Sequence, residues 1–173
     1  MAWWCWRRSA PASGSGERSL VERSYGVAEP NEIAGLTGRE ILEAMMSGRL
    51  PGPPMAQTLS FWLVEVGEGF AAFEGETGAA LLNPMGAVHG GWALALIDSA
   101  AGCAAMSLLP AGAAYTTVET KANFSRPILK DTGVVRAEAR VLAPGRRIMS
   151  AEARVTDGRG RLLAHGTSTL MVL

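Results

Sequence analysis

The chain has 173 residues, 48% of them hydrophobic, which suits one domain with a packed core. Lysine and arginine together number 16, as do aspartate and glutamate, so the formal net charge of zero gives no global attraction to nucleic acid. No uncharged apolar run is long enough to predict a membrane span, and Cys5 and Cys103 form neither a disulfide framework nor a metal-binding cluster. These features favour a cytoplasmic protein.

Residues 1–35 are predicted to form a flexible extension, because their serine, glycine, proline and arginine show no periodicity. Thr37 is a plausible N-cap with Glu40 three residues later, and residues 39–46 read as a short amphipathic helix. The following segment, 51–54, contains three prolines and is predicted to lack regular structure. The folded domain is therefore expected to span residues 36–173.

Strand-like and helical patterns then alternate along the domain. Segments 59–66 and 70–75 are predicted to form a hairpin, and one long helix is predicted from about residue 91 to 108. Four further strands are expected at 115–124, 133–142, 147–156 and 162–172. This order predicts an α+β fold in which one long helix lies against an antiparallel sheet.

The same five residues, Ala-Glu-Ala-Arg-Val, occur in two consecutive predicted strands. A turn near Gly145 would place Glu138 opposite Arg154 and Arg140 opposite Glu152. The alanines then share the opposite, buried face, so one side of the sheet is expected to meet the core.

Candidate catalytic residues concentrate at the start of the long helix. Gly90 and Gly91 fall at its N-terminus, where free N–H groups and the helix dipole can stabilise an oxyanion. Asn83 and His89 add an amide and an imidazole that can orient water or a carbonyl group. A glycine pair required only for a tight turn is the alternative interpretation.

Asp98 lies about two turns into this helix, among helical neighbours that are apolar or very small. Such a position is costly for a charge, which favours a functional carboxylate. Gly90 and Asp98 are eight residues apart, or about 12 Å along one helix. If both act in one reaction, the carboxylate must come from a neighbouring subunit, with two helices packed about a two-fold axis. The small residues of this helix could instead pack on the sheet.

Three features together suggest a family: Asn-Pro-x-Gly-x-x-His-Gly-Gly at 83–91, Asp98, and Thr-Val-Glu-x-x-x-Asn-Phe-x-Arg-Pro at 117–127. From about residue 36 to 172 the chain resembles the hotdog-fold acyl-CoA thioesterases of the PaaI-like, phenylacetate-pathway group. The resemblance implies a six-stranded antiparallel sheet wrapped around one helix, and dimers that commonly pair into tetramers. It also implies hydrolysis of acyl-CoA to a free acid and coenzyme A, without a metal or redox cofactor.

The resemblance further implies roles for individual residues. Asp98 matches the general base or nucleophile, and the Gly90 amide matches the group that polarises the thioester carbonyl. Asn83 and His89 match the residues that orient the substrate. Thr117 matches the residue that helps to hold the attacking water, and Thr116 is a competing choice for that role.

Gly91 is a further candidate for substrate binding, and exposed arginines could meet the coenzyme A phosphates. The candidates are Arg126, Arg146 and Arg147, and ordinary surface arginines are an equally acceptable interpretation. Two other functions stay open: a non-catalytic acyl-CoA-binding module, and a hotdog hydratase or dehydratase.

Overall fold

The computed structural model describes residues 23–173, and residues 1–22 lie outside the described part of the chain. Its helices are α1 (Pro30–Ile33), α2 (Gly38–Met46), α3 (Pro54–Thr58) and α4 (Gly90–Met106). Its strands are β1 (Phe61–Gly67), β2 (Phe70–Glu76), β3 (Tyr115–Phe124), β4 (Val134–Pro144), β5 (Ile148–Asp157) and β6 (Leu162–Val172). All pairings are antiparallel, and the strands form one six-stranded sheet in the order β1-β2-β4-β5-β6-β3.

The predicted α+β layout is confirmed, and the arrangement is that of a hotdog fold, with the sheet curved around α4. The expected register of β4 and β5 is also confirmed, because Glu138 pairs with Arg154 and Arg140 with Glu152. Helix α2 begins with the predicted capping box, in which the Thr37 and Glu40 side chains accept each other's backbone N–H. Among residues 23–173 no helix is long and apolar enough to cross a membrane.

The sequence interpretation missed two short helices, α1 and α3. The prediction that 51–54 lacks regular structure is wrong for Pro54, which begins α3. Proline is accepted there because the first residue of a helix needs no N–H donor and its fixed φ suits the helix. The expectation of irregular structure treated every proline as a helix breaker.

Helix α4 contacts all six strands and is apolar on nearly every side, as expected for a helix enclosed by its own sheet. Alanines dominate the contact, and they allow the helix axis to approach the sheet closely. Those buried on the helix are Ala93, Ala100, Ala101, Ala104 and Ala105, and those on the facing strands are Ala71, Ala137, Ala139, Ala151 and Ala153. This packing places the single carboxylate of the helix against the sheet.

The helix runs antiparallel to the edge strand β3. A Cβ atom at Gly90 would lie 3.0 Å from the Phe124 ring, and one at Gly102 would overlap the Tyr115 hydroxyl. The start of α4 therefore lies near the end of β3, and the end of α4 lies near its beginning. This alignment brings Asp98 to the middle of β3.

Part of the predicted N-terminal extension contacts the domain. Tyr25 forms a parallel bridge with Gly52, through hydrogen bonds of 2.9 Å from Gly26 N to Gly52 O and from Gly52 N to Ser24 O. Its ring packs against the core. Flexibility of residues 1–35 stays a prediction, and residues 1–22 lie outside the described residues.

We predict that Gly166→Ala destabilises the fold, because a Cβ there would overlap the Lys121 carbonyl oxygen and press on Ile97 of α4. Overpacking of this kind costs about 1–3 kcal/mol in the free energy of unfolding, measured by chemical denaturation. Gly158→Ala is the matched control, since no atom lies within 4 Å of its Cβ position. Equal stability of the two variants would contradict this packing of β6 against β3 and α4.

Candidate active site

Asp98 is half-buried on α4, and the hydroxyl of Thr120 holds its carboxylate, with Oγ1 donating to Oδ1 at 2.8 Å. The Ser168 hydroxyl lies 2.9 Å from that of Thr120 and also donates to the Glu119 carbonyl at 3.1 Å. Because Thr120 gives its proton to Asp98, the single Ser168 proton is shared between two acceptors. Among residues 23–173, no hydrogen bond reaches Oδ2 of Asp98, so this oxygen is available to a substrate or water.

A β-bulge determines which threonines of β3 face the helix. Thr117 pairs with Leu170 and Glu119 with Thr169, so Val118 is an extra residue in the strand. Beyond it the alternation is reversed, and Thr117 and Thr120 are both half-buried on the helix side.

The structure brings Thr117 next to Asp98, since both line the same two cavities, whereas Thr116 is exposed and lines neither. Thr120, the direct partner of the carboxylate, was not predicted. If side chains alternated strictly along β3 from Thr117, Thr120 would point to the outer face of the sheet. No local signal in the sequence marks the bulge that reverses this alternation.

Two cavities meet at Asp98. The deeper one has a volume of about 490 Å³ and extends beneath β1 towards α2 and residues 23–25. The second is a more open groove of about 370 Å³ between the first half of α4 and the middle of β3. Met55, Asp98 and Thr117 line both of them. The free carboxylate oxygen therefore lies at the junction of an apolar cavity and an open groove.

At the helix N-terminus the two glycine amides differ. His89 is the N-cap, and its Nδ1 accepts from the Gly91 N–H at 2.9 Å, which assigns the imidazole proton of the neutral ring to Nε2. By contrast, the Gly90 N–H donates to no acceptor within residues 23–173. Gly90 therefore offers a free donor, while Gly91 lines the groove with its own amide already engaged.

Asn83 shapes the loop before the helix. Its Oδ1 accepts from Met85 N at 2.9 Å and from Ala87 N at 3.2 Å, and Gly86 completes the turn with a φ of 81°. Within the described chain the side-chain NH₂ group has no acceptor, so it can still donate to a ligand.

Within one chain, Gly90 and Asp98 are held apart on α4 by about 12 Å of helix. Packing on the sheet applies to one of the small residues of this helix, and packing against a second helix stays a prediction. Gly102 packs on Tyr115 of the sheet, whereas Gly91 and Ala95 line the open groove.

The three candidate arginines are exposed but do not come together in one chain. Arg126 follows β3 near Gly90, and its Nη1 donates to the Leu162 carbonyl at 2.7 Å. Arg146 and Arg147 lie in the β4–β5 turn, where Val172 N donates to the Arg147 carbonyl at 2.9 Å. Val172 pairs with Tyr115 at the other end of β3, so the length of that strand, about 30 Å, separates the two groups.

The charge of Asp98 also affects two half-buried side chains that line the deeper cavity. Burial, with a smaller contribution from the nearby Asp98 carboxylate, raises the pKa of Cys103 to about 12. Burial is also the main cause that raises the pKa of Tyr115, and the nearby Cys103 and Asp98 raise it further by smaller amounts. Both side chains are therefore neutral at physiological pH. Among the described residues no three histidine, cysteine, aspartate or glutamate side chains are grouped to hold a metal ion.

Residues 85–164 match the family model of the thioesterase superfamily. A conserved protein of Pseudomonas aeruginosa is 34% identical, with a TM-score of 0.65, and the match covers 69% of this chain and 94% of that one. A thioesterase family protein from Silicibacter pomeroyi is 33% identical, with a TM-score of 0.64 and coverage of 69% and 89%.

A putative thioesterase of Ralstonia eutropha, described as related to phenylacetic acid degradation, is 29% identical. Its TM-score is 0.69, and the match covers 75% of this chain and 98% of that one. No curated protein matches the chain. The residues matched by the family model, 85–164, contain Gly90, Asp98 and Thr117.

We predict that the Cys103 thiol alkylates slowly in the folded protein. Because the pKa of Cys103 is about 12, only a small fraction of the thiol is thiolate at pH 8. Since the thiolate is the reactive form, we expect alkylation by iodoacetamide roughly 10³-fold more slowly than at a free cysteine. A Cys5→Ser background isolates the signal, and mass spectrometry measures it before and after unfolding. Asp98→Asn should accelerate the reaction modestly, because it removes the smaller of the two causes. Alkylation of the folded parent at the free-cysteine rate would contradict this environment.

Proposed function

The chain belongs to the PaaI-like hotdog thioesterases, and from this membership we propose that it hydrolyses an acyl-CoA thioester to a carboxylic acid and coenzyme A. The observation that carries the proposal is the free Oδ2 of Asp98 at the junction of the open groove and the apolar cavity. The groove suits the polar pantetheine arm, and the cavity suits the acyl group. The proposed enzyme acts in the cytoplasm and uses no metal or redox cofactor.

Asp98 supplies the reactive carboxylate. As a general base, it takes a proton from water while the water oxygen attacks the thioester carbon, and it returns the proton to the departing sulfur. As a nucleophile, it attacks the same carbon, expels the thiolate and forms an anhydride that water then cleaves. In both routes Thr120 fixes the carboxylate, and the proposed role of Thr117 is to hold the attacking water, which its position in both cavities with Asp98 supports.

Gly90 supplies the oxyanion donor. Its unengaged N–H at the positive end of the α4 dipole suits the negative charge that develops on the carbonyl oxygen. Asn83 and His89 flank this position, and their free side-chain N–H groups orient the substrate. Because about 12 Å of helix separates Gly90 from Asp98 of its own chain, each site combines Gly90 with Asp98 of the partner subunit.

The edge strand β3 supports this dimer. It is ten residues long and lies at the end of the sheet, where one of its sides pairs with no strand of residues 23–173, and this arrangement favours pairing with a second strand. Val118 and Phe124 on this strand are 58% and 57% exposed. Pairing of two chains here would cover both side chains and close the groove over the substrate, and such dimers are proposed to pair again into tetramers.

For the coenzyme A phosphates we propose Arg126, because it lies at the same end of β3 as Gly90 and exposes the rest of its guanidinium. Arg146 and Arg147 lie at the opposite end, so they can contribute to the same coenzyme only from another subunit.

We predict that Asp98→Asn lowers kcat for acyl-CoA hydrolysis by about 10²- to 10⁴-fold, because the amide can neither accept a proton nor attack. Thr120→Val should cause a smaller loss, and Thr120→Ser should retain activity, since only valine removes the hydrogen bond to the carboxylate. A thiol reagent measures the released coenzyme A. Asp131→Asn, on an exposed loop outside both cavities, is the matched control.

Parental activity in Asp98→Asn would exclude this assignment. Two other outcomes correspond to the alternative functions. Tight acyl-CoA binding by the parent without release of thiol would indicate a binding module, and addition of water to an enoyl-CoA double bond would indicate a hydratase.

A further inference from the structure

We propose that the 490 Å³ cavity behind Asp98 selects a linear, unsubstituted acyl chain of roughly ten to sixteen carbons, whose far end meets residues 23–25. This inference rests on the proposed function and names the substrate class of that site. The expectation of a phenylacetate-pathway enzyme would instead favour a small aromatic acid.

The connection between the two cavities determines where the acyl chain lies. A thioester carbon at Asp98 has two directions available, because Met55, Asp98 and Thr117 line both the groove and the deeper cavity. The groove is the more open of the two, and the coenzyme A arm must lead from the thioester to a nucleotide outside the protein, so the groove suits the pantetheine arm. The acyl chain therefore extends into the deeper cavity.

Most of the side chains that line the cavity are apolar, among them Met45, Met46, Leu50, Phe61, Leu63 and Phe73. Unbranched methionines adapt to a flexible chain. Tyr115 and Cys103 near Asp98 are neutral because burial raises the pKa of both. Of the lining residues in the described part of the chain, only Arg23 and Asp98 carry a charge, so a charged group along the acyl chain would find no partner among the apolar side chains.

The size of the cavity sets the length of the acyl group. An apolar cavity of about 150 Å³ is sufficient to bind benzene, and this one is about three times larger. A phenylacetyl group would leave most of the apolar wall without contacts. Each additional buried methylene should raise kcat/KM about threefold to fourfold until the cavity is filled.

The far end of the cavity is built by the segment before α1. Tyr25 is held there by its bridge to Gly52, and the Arg23 guanidinium lies 4.4 Å from the ring centroid of Trp62. Arg23, Ser24, Tyr25 and Trp62 all line the cavity, and Arg23 and Ser24 are exposed. Arg23 belongs to this segment and Asp98 to α4, so the proposed acyl chain lies along the apolar lining side chains between these two charged residues.

The experiment measures kcat/KM of the full chain with acetyl-, hexanoyl-, phenylacetyl-, decanoyl- and dodecanoyl-CoA, below their micelle concentrations. We expect decanoyl- and dodecanoyl-CoA to exceed phenylacetyl-CoA by at least about tenfold. An optimum at acetyl- or phenylacetyl-CoA would overturn the assigned chain length while leaving the hydrolysis intact. No release of coenzyme A from any of the five would overturn the proposed function and this inference with it.

Variants of Met46 locate the acyl chain, because its half-buried side chain lines the cavity on α2. Met46→Trp should reduce the ratio of kcat/KM for dodecanoyl-CoA to kcat/KM for hexanoyl-CoA at least about tenfold, because added bulk in the cavity excludes the longer chain first. Met46→Ala should shift the optimum to longer chains. General destabilisation cannot produce these opposite shifts. Leu142→Trp, at a side chain 56% exposed and outside the cavity, is the control for added bulk. Unchanged chain-length profiles in both Met46 variants would place the acyl chain elsewhere.

Discussion

The fixed spacing of residues along α4 is the constraint on which the proposed site depends. Gly90 and Asp98 belong to one continuous helix that its own sheet encloses, so neither can move towards the other. About 12 Å of helix lies between the free amide and the free carboxylate oxygen, and no single thioester can contact both within one chain. Under the proposed mechanism, a rigid helix of this kind makes association of two chains part of the chemistry.

The same helix explains how a carboxylate is retained in an apolar environment. Alanines bring α4 close to the sheet, and the bulge at Val118 turns Thr120 towards Asp98. A hydrogen bond to one oxygen offsets part of the cost of burying the charge, and the second oxygen remains open to the cavities. Burial and this charge together keep the Cys103 and Tyr115 side chains neutral, so these two residues add no charge to the cavity in which the acyl group is proposed to bind.

Much of the fold could be predicted because its signals are local. Alternation identified the strands, a repeated pentapeptide determined the β4–β5 register, and Thr37 with Glu40 located the start of α2. Of the candidate site residues, Asp98 and Thr117 line the same two cavities, and the catalytic roles of all of them stay predictions. Thr120 was missed because a bulge reverses the alternation of β3, and bulges depend on the partner strand. The cavity was missed because α2, β1 and the segment around Tyr25 meet only in three dimensions.

The most direct test mixes two inactive chains. The Gly90→Pro substitution removes the amide N–H, and proline suits this position because Gly90 is the first residue of the helix. Gly90→Ala is the control, because alanine keeps the N–H donor. Gly90→Pro and Asp98→Asn chains are unfolded together, refolded at a 1:1 ratio, and assayed for release of coenzyme A. A site shared between subunits predicts recovery to about one quarter of the parental activity, because half of the dimers are mixed and each of these has one intact site. No recovery, in mixtures shown by native mass spectrometry to contain mixed dimers, would contradict the shared site.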